Sequence, residues 1–323
     1  MKRLLLVLAA SLVAAAPAAA SGPPLTVSKA KLSAAYKCPI PASDHPTAQP
    51  VMFVTGTGAT GDQGYLIGQD AFEATGNPVC YMNYPDSTTA DIQVSVQYLV
   101  YGLRRQYAEG GHKKLAVIGI SQGGLLPRFA LTYWPDLREK VTDVVAAAGT
   151  QHGTTVSRSC SASTPCAPAN WQQLKGSDLL KAINAQPDET PGDVSYTTVR
   201  SSTDQTVQPQ TGKHPTSALK GASNVLIQDV CPGRETSHIG TAVDSVTFAL
   251  FQDALVHDGK GIKGAGSVKR LPSDVCDHPY GSGFDEAKTT AYLAAADSLT
   301  SSNGAAAPKV SREPKVRKAF ERH

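Results

Sequence analysis

The stretch Lys114-Leu-Ala-Val-Ile-Gly-Ile-Ser-Gln-Gly-Gly124 decides the fold. Its apolar run, Leu115–Gly119, has the pattern of a buried strand. The run enters Gly119-Ile120-Ser121-Gln122-Gly123 directly and continues into the helix-forming Leu125–Tyr133. A serine on a glycine-flanked turn between a strand and a helix is the arrangement of a nucleophile elbow. Bulky side chains at the flanks would collide with the neighbouring strand and helix when the serine is pushed into the bend. Ser121 is therefore the nucleophile candidate. Gly-x-Ser-x-Gly by itself is a weak signal in a chain with 28 glycines, so the strand before it and the helix after it carry the weight.

Outward from the elbow, strands and helices alternate. Pro50–Thr55 reads as a buried strand closed by Gly56-Thr-Gly-Ala-Thr-Gly61, and Pro78–Tyr84 as a second strand. A helix follows with the apolar stripe Ile92, Val96, Leu99, Leu103 and Tyr107, ended by Gly110-Gly111. Val141–Ala148 is another strand, after which Gly149–Asn170 turns irregular. The second half predicts a helix over Trp171–Asn184, strands over Tyr196–Ser201 and Val225–Val230, a helix facing inward with Val243, Val246, Leu250 and Ala254, and a helix over Glu286–Leu299. Gly259–Gly266 reads as a mobile glycine-rich loop. The alternation implies an α/β fold with a mostly parallel, doubly wound sheet flanked by helices.

Met1-Lys-Arg3, the apolar run Leu4–Ala16 and Ala18-Ala-Ala20 have the order of a secretory signal, with cleavage expected after Ala20. The chain thus divides into a signal peptide over 1–20, one domain over 21–300, and a low-complexity linker and basic tail over 301–323 that reads as disordered. Six cysteines in an exported chain predict three disulfides, with Cys160 and Cys166 close enough to staple one surface loop. Formal charge is +3, and losing Lys2 and Arg3 leaves 28 basic against 27 acidic residues. The tail from Lys309 to His323 carries six basic and two acidic residues, so the body lacks a basic face and nucleic acid is not an expected partner.

A serine hydroxyl becomes a competent nucleophile when a histidine takes its proton and an acid fixes that histidine. Histidines beyond Ser121 are His152, His214, His238, His257 and His278, and acids in range include Asp136, Asp143, Asp178, Asp188, Asp193, Asp204 and Asp229. Asp204 follows a predicted strand at its carboxyl end, where ligand-facing groups of open α/β sheets gather. His238 sits on a loop between a strand and a helix. The other histidines read as surface residues, since none has a helical pair or cysteine partner at metal-ligand spacing.

Four ordered segments resemble one family: Thr55-Gly-Thr-Gly-Ala-Thr-Gly61, Ile120-Ser-Gln-Gly-Gly124, Ser202-Thr-Asp-Gln-Thr-Val-Gln-Pro-Gln210 and Ser237-His-Ile-Gly240. They are similar to the lipase B type of secreted α/β-hydrolase, the Candida antarctica lipase B-like enzymes and their bacterial relatives, over about residues 36 to 256. The resemblance implies an α/β-hydrolase fold with Ser121, Asp204 and His238 as a triad. It implies an oxyanion hole from the backbone N–H and hydroxyl of Thr57 and the backbone N–H of Gln122, and disulfides Cys38–Cys80 and Cys231–Cys276. Cys160–Cys166 has no counterpart in the fungal enzyme and falls where its lid region lies. Ile120 replaces a tryptophan, Thr206 an isoleucine and Thr150 an aspartate, so Ile120 and Thr206 are substrate-binding candidates with an altered preference. The implied activity is that of a triacylglycerol lipase without metal or organic cofactor, acting on lipid or other hydrophobic esters and meeting a lipid–water interface transiently; the sequence leaves the oligomeric state open, with a monomer as the default. Its location would be extracellular, or periplasmic in a double-membrane bacterium. A short-chain carboxylesterase or polyester depolymerase is the alternative activity, and an inactive hydrolase-fold binding protein the alternative of another class.

Overall fold

The computed structural model describes residues 21–156, 160–257, 259 and 261–321, so the leader 1–20 lies outside the described residues. In chain order the elements are α1 Lys29–Ala35, β1 Tyr36–Ile40, β2 Val51–Val54, α2 Gly61–Thr75, β3 Val79–Met82, α3 Pro85–Thr88, α4 Ile92–Glu109, β4 Leu115–Ile120, α5 Gln122–Tyr133, β5 Val141–Ala147, α6 Pro168–Gln172, α7 Asp178–Asn184, β6 Ser195–Arg200, β7 Ser223–Leu226, α8 Ile227–Val230, α9 Ser245–Val256 and α10 Glu286–Ala306. The strands form one sheet in the order β1-β3-β2-β4-β5-β6-β7. Only the edge pairing of β1 with β3 is antiparallel.

Apolar β-branched runs make the central strands. β2 and β4 are buried at every position, as parallel strands covered on both faces must be. Side chains alternate between two cores. Met52, Val54 and Val117 join Val96, Leu99, Leu103, Leu125 and Phe129 of α4 and α5 on one face, while Val51, Phe53 and Ile118 join Phe72 of α2 and Phe248 and Phe251 of α9 on the other. The chain therefore leaves β2 toward one face and β4 toward the opposite face. Between those two strand ends lies a topological switch point, where open α/β sheets bind their ligands.

Several elements depart from the sequence reading. The segment read as the helix Trp171–Asn184 is two short helices, α6 and α7, because Gly176 takes a left-handed φ of 84° and Ser177 caps α7. The last helix does not stop at Leu299 but runs on to Ala306, taking in most of the expected linker, whose alanines and serines are compatible with a helix. The expectation of a disordered tail is corrected as well. Phe320 is 2% exposed and packs its ring 4.9 Å from Phe129, 5.1 Å from Tyr133 and 5.6 Å from Trp134. Glu313 accepts the first N–H groups of α7, from Asp178 at 2.8 Å and Leu179 at 3.0 Å. Val310 pairs through its backbone with Cys166, and the Gln93 carboxamide brackets the chain at Lys315 and Arg317. One aromatic anchor and a set of backbone-recognising side chains outweigh the tail's exposed charge.

Candidate active site

The elbow is built as its glycines require. Ser121 has φ 58° and ψ −121°, a strained conformation for a side-chain-bearing residue, held between the last strand bond, Ser121 N–H to Ala147 O at 2.9 Å, and the first turn of α5. A Cβ on Gly119 would stand 2.1 Å from the Gly123 carbonyl oxygen, and one on Gly123 would stand 2.2 Å from that of Val54. Only hydrogen at those two places lets β4, α5 and β2 close around the bend. Gln122 opens α5, so its N–H is one of the four that a helix leaves without an intrahelical partner.

Across the crevice, Thr57 stands on the loop between β2 and α2. That loop is fixed from behind by Ser87, whose carbonyl accepts the Gly58 N–H at 2.9 Å, by the Thr88 hydroxyl on the Ala59 carbonyl at 2.7 Å, and by Asn303 of α10 on the Gly58 carbonyl at 2.8 Å. Asp86, Ser87 and Thr88 hold three successive positive φ values of 52°, 50° and 62°, so strain is accepted where the Thr57 loop is buttressed.

Asp204 and His238 come together although 34 residues separate them: His238 Nδ1 and Asp204 Oδ2 are 2.8 Å apart, both residues buried. The other carboxylate oxygen accepts the backbone N–H groups of Thr206 at 2.7 Å and Val207 at 2.8 Å. Burial pushes the Asp204 pKa up, but the bond and charge of His238 and the two backbone donors outweigh it and hold the carboxyl below its ordinary range. The histidine loop is stitched to the acid loop by the Gln205 side chain, which accepts the His238 N–H at 3.0 Å, and by Thr203, whose hydroxyl donates to the Thr236 carbonyl at 2.9 Å. Cys231–Cys276 closes behind it, and Arg234 donates to the Cys276 and His278 carbonyls at 2.7 Å each.

Ser121, His238 and Thr57 line one mainly apolar cavity of about 440 Å³ together with Ile120, Thr206 and Gln173. Its outer wall is α10, through Ala296, Leu299, Thr300 and Ser301. Besides Asp204 and Gln122, the five site residues read from the sequence, Ser121, His238, Thr57, Ile120 and Thr206, thus line that cavity, and so does Thr150. Cys38–Cys80, Cys231–Cys276 and Cys160–Cys166 are closed. Of the remaining histidines, His214 and His278 are exposed. His152 corrects the surface reading: it is half-buried, with Nε2 3.1 Å from the Ala218 carbonyl. Sequence reasoning missed Gln173, Gln205 and the whole contribution of α10. Gln205 stood inside the quoted Ser202–Gln210 segment and could have been found; Gln173 and α10 carry no motif.

A predominantly parallel sheet with a strained serine elbow at its switch point defines an α/β-hydrolase. The family model described as lipase (class 2) matches residues 48–242. A lipase B from Pseudozyma antarctica is 33% identical over 239 residues, 73% of this chain and 69% of that protein. The crystal structure of Aspergillus fumigatus lipase B superposes with a TM-score of 0.82 at 27% identity, covering 99% of this chain and 77% of that one. A Bacillus licheniformis lipase, BlEst2 in its mature form, shares the fold at a TM-score of 0.51 and 16% identity, over 68% of this chain and 97% of its own. The chain belongs to the lipase (class 2) family, and it is a carboxylic ester hydrolase.

Proposed function

We propose that this enzyme is an exported triacylglycerol lipase that works through an acyl-enzyme on Ser121. The single observation that carries this reading is the buried His238–Asp204 pair, 2.8 Å apart, opening on the same cavity as the strained Ser121. In the first half-reaction Ser121 Oγ attacks the ester carbonyl carbon and His238 Nε2 takes the hydroxyl proton. The Asp204 carboxylate accepts from Nδ1, which fixes the tautomer and stabilises the charged ring. Negative charge gathering on the carbonyl oxygen is met by the backbone N–H groups of Thr57 and Gln122, which the fold fixes in place, and by the Thr57 hydroxyl, whose proton turns to the oxygen from Gln122 Oε1. Collapse of the tetrahedral species breaks the bond to the alcohol oxygen, and His238 returns its proton there. Water then repeats the sequence on the acyl-enzyme and releases the acid.

An apolar cavity suits acyl chains, and the position of Ile120 and Thr206 in its wall supports reading them as substrate-binding residues. Val156 and Leu299, both on the cavity, are each 39% exposed and give its mouth an apolar rim suited to a lipid–water interface. The leader sequence and the three disulfides support export, with the mature chain starting near Ser21. Hydrolysis of emulsified tributyrin and triolein, measured beside soluble p-nitrophenyl esters, tests the substrate class. Turnover of both triglycerides is expected. Activity on the soluble short esters alone would make it a carboxylesterase.

A further inference from the structure

Gln173, just past α6, is 7% exposed and points into the cavity wall. Its Nε2 lies 2.8 Å from Thr57 Oγ1, 3.1 Å from the Ala169 carbonyl and 3.3 Å from Gln122 Oε1. Its Oε1 accepts the Thr150 hydroxyl at 3.0 Å, and the Thr57 hydroxyl donates to Gln122 Oε1 at 2.7 Å. The hydrogen bonds therefore run one way, from Thr150 to Gln173 to Thr57 to Gln122. A hydroxyl has one proton and two lone pairs. With a Gln173 N–H on one lone pair, the Thr57 proton is left to point at Gln122 or into the cavity.

The Gln122 carboxamide shows what holds this state. Its Nε2 is buried and has no partner among the described residues, so two donors on its Oε1, Thr57 and Gln173, fix its orientation. Turning the amide over would set its N–H groups against the Gln173 N–H groups, donor to donor. Gln173 has two hydrogens for three acceptors, and it can keep its bond to Thr57 when the Thr57 proton leaves Gln122.

We propose that Gln173, aligned by Thr150, is a positioning residue of the oxyanion hole. This rests on the reading of Thr57 as an oxyanion donor. In the free enzyme Gln173 keeps the Thr57 proton parked on Gln122 Oε1. When charge develops on the acyl oxygen, that proton swings to it while the Gln173 N–H stays on Oγ1 and polarises the hydroxyl, since chained hydrogen bonds strengthen one another in a low-dielectric site. No group in the chain is ionised, so the donor keeps its strength at any working pH. Because the swing is completed only as the oxyanion forms, the contribution belongs to kcat and leaves KM alone.

The test is kcat and KM on p-nitrophenyl butyrate for wild type, Thr57→Val, Gln173→Leu, Gln173→Glu and Thr57→Val/Gln173→Leu, with sites counted by fluorophosphonate titration so that misfolded protein is excluded. Gln173→Leu should lower kcat by about 10-fold with KM within about 2-fold, and add less than about 2-fold once Thr57 is valine. Gln173→Glu should fall further where its carboxylate is ionised, because it would accept the Thr57 proton, and should regain activity relative to wild type as pH drops and the carboxyl becomes a donor. An undiminished Gln173→Leu loss in the valine background, or a change in KM alone, would overturn the proposal. A Thr57→Val enzyme with wild-type kcat would overturn the oxyanion reading beneath it, which is a separate result from an inert Gln173.

Discussion

The two walls of the cavity are built by different means. The inner wall, with Ser121, Thr57, Asp204 and His238, hangs from the carboxyl ends of β2, β4, β6 and the loop after α8, and is fixed by backbone geometry and short hydrogen bonds. The outer wall is α10 followed by a tail that crosses the molecule to bury Phe320 behind α5, held by side chains scattered from Gln93 to Trp171. The inner wall has chemistry that fails if one atom moves. The outer wall has shape and stability, and tolerates change wherever its anchors survive.

That contrast explains what could be read in advance. The inner wall is local: Gly119 and Gly123 announce a bend because a Cβ at either place meets backbone within about 2 Å, and Ser202–Gln210 and Ser237–Gly240 are short segments whose residue types fit the roles. The joining of Asp204 to His238 across 34 residues was open among seven acids and five histidines on residue chemistry alone; their places at a strand end and on a loop favoured them, and the family likeness made the pairing specific. The outer wall has no local signature. Residues 301–323 are rich in alanine, serine and basic side chains, a composition that reads as solvated, and a single Phe320 sealed by three aromatic rings from α5 and its end cannot be seen without knowing where α5 ends. Gln173 was hidden for a related reason: a carboxamide with four polar neighbours is defined by them and by nothing in its own segment.

The largest expected effect is on the inner wall. Asp204→Asn should cut turnover by about 10³–10⁴, since the amide favours the wrong imidazole tautomer. In the wild type the Asp204 carboxyl titrates below its ordinary value, so its contact with His238 stabilises the fold above the ordinary carboxyl range and loses that contribution as pH falls through the depressed folded value. Urea unfolding against pH should show this acid-side loss in the wild type and a shallower one in the variant; equal slopes would separate Asp204 from the acid response.

On the outer wall, Phe320→Ala should cost about 3 kcal/mol in stability through the cavity left among three rings. Turnover at saturating soluble ester should stay within about 2-fold of wild type, because Phe320 sits behind α5, away from Ser121. A large loss of kcat in the folded variant would break the division between the walls.

The smallest effect is expected at the end of β4, beside the nucleophile. Ile120, next to Ser121, lines the cavity, and a larger ring there should narrow the space for the alcohol. Ile120→Trp should raise enantioselectivity on small secondary alcohol esters by an amount worth about 1–2 kcal/mol and reject bulkier ones. Unchanged ratios of kcat/KM for the two enantiomers in a well-folded variant would place this side chain outside the alcohol's path.

The acyl-enzyme on Ser121 is the point on which the account depends, and covalent labelling reads it directly. Treating the mature protein with a fluorophosphonate and mapping the adduct by peptide mass spectrometry should place one label on the peptide holding Ser121, with activity lost in proportion and no label on Ser121→Ala. A fully active protein that takes no label, or a label on another serine that persists in Ser121→Ala, would contradict it.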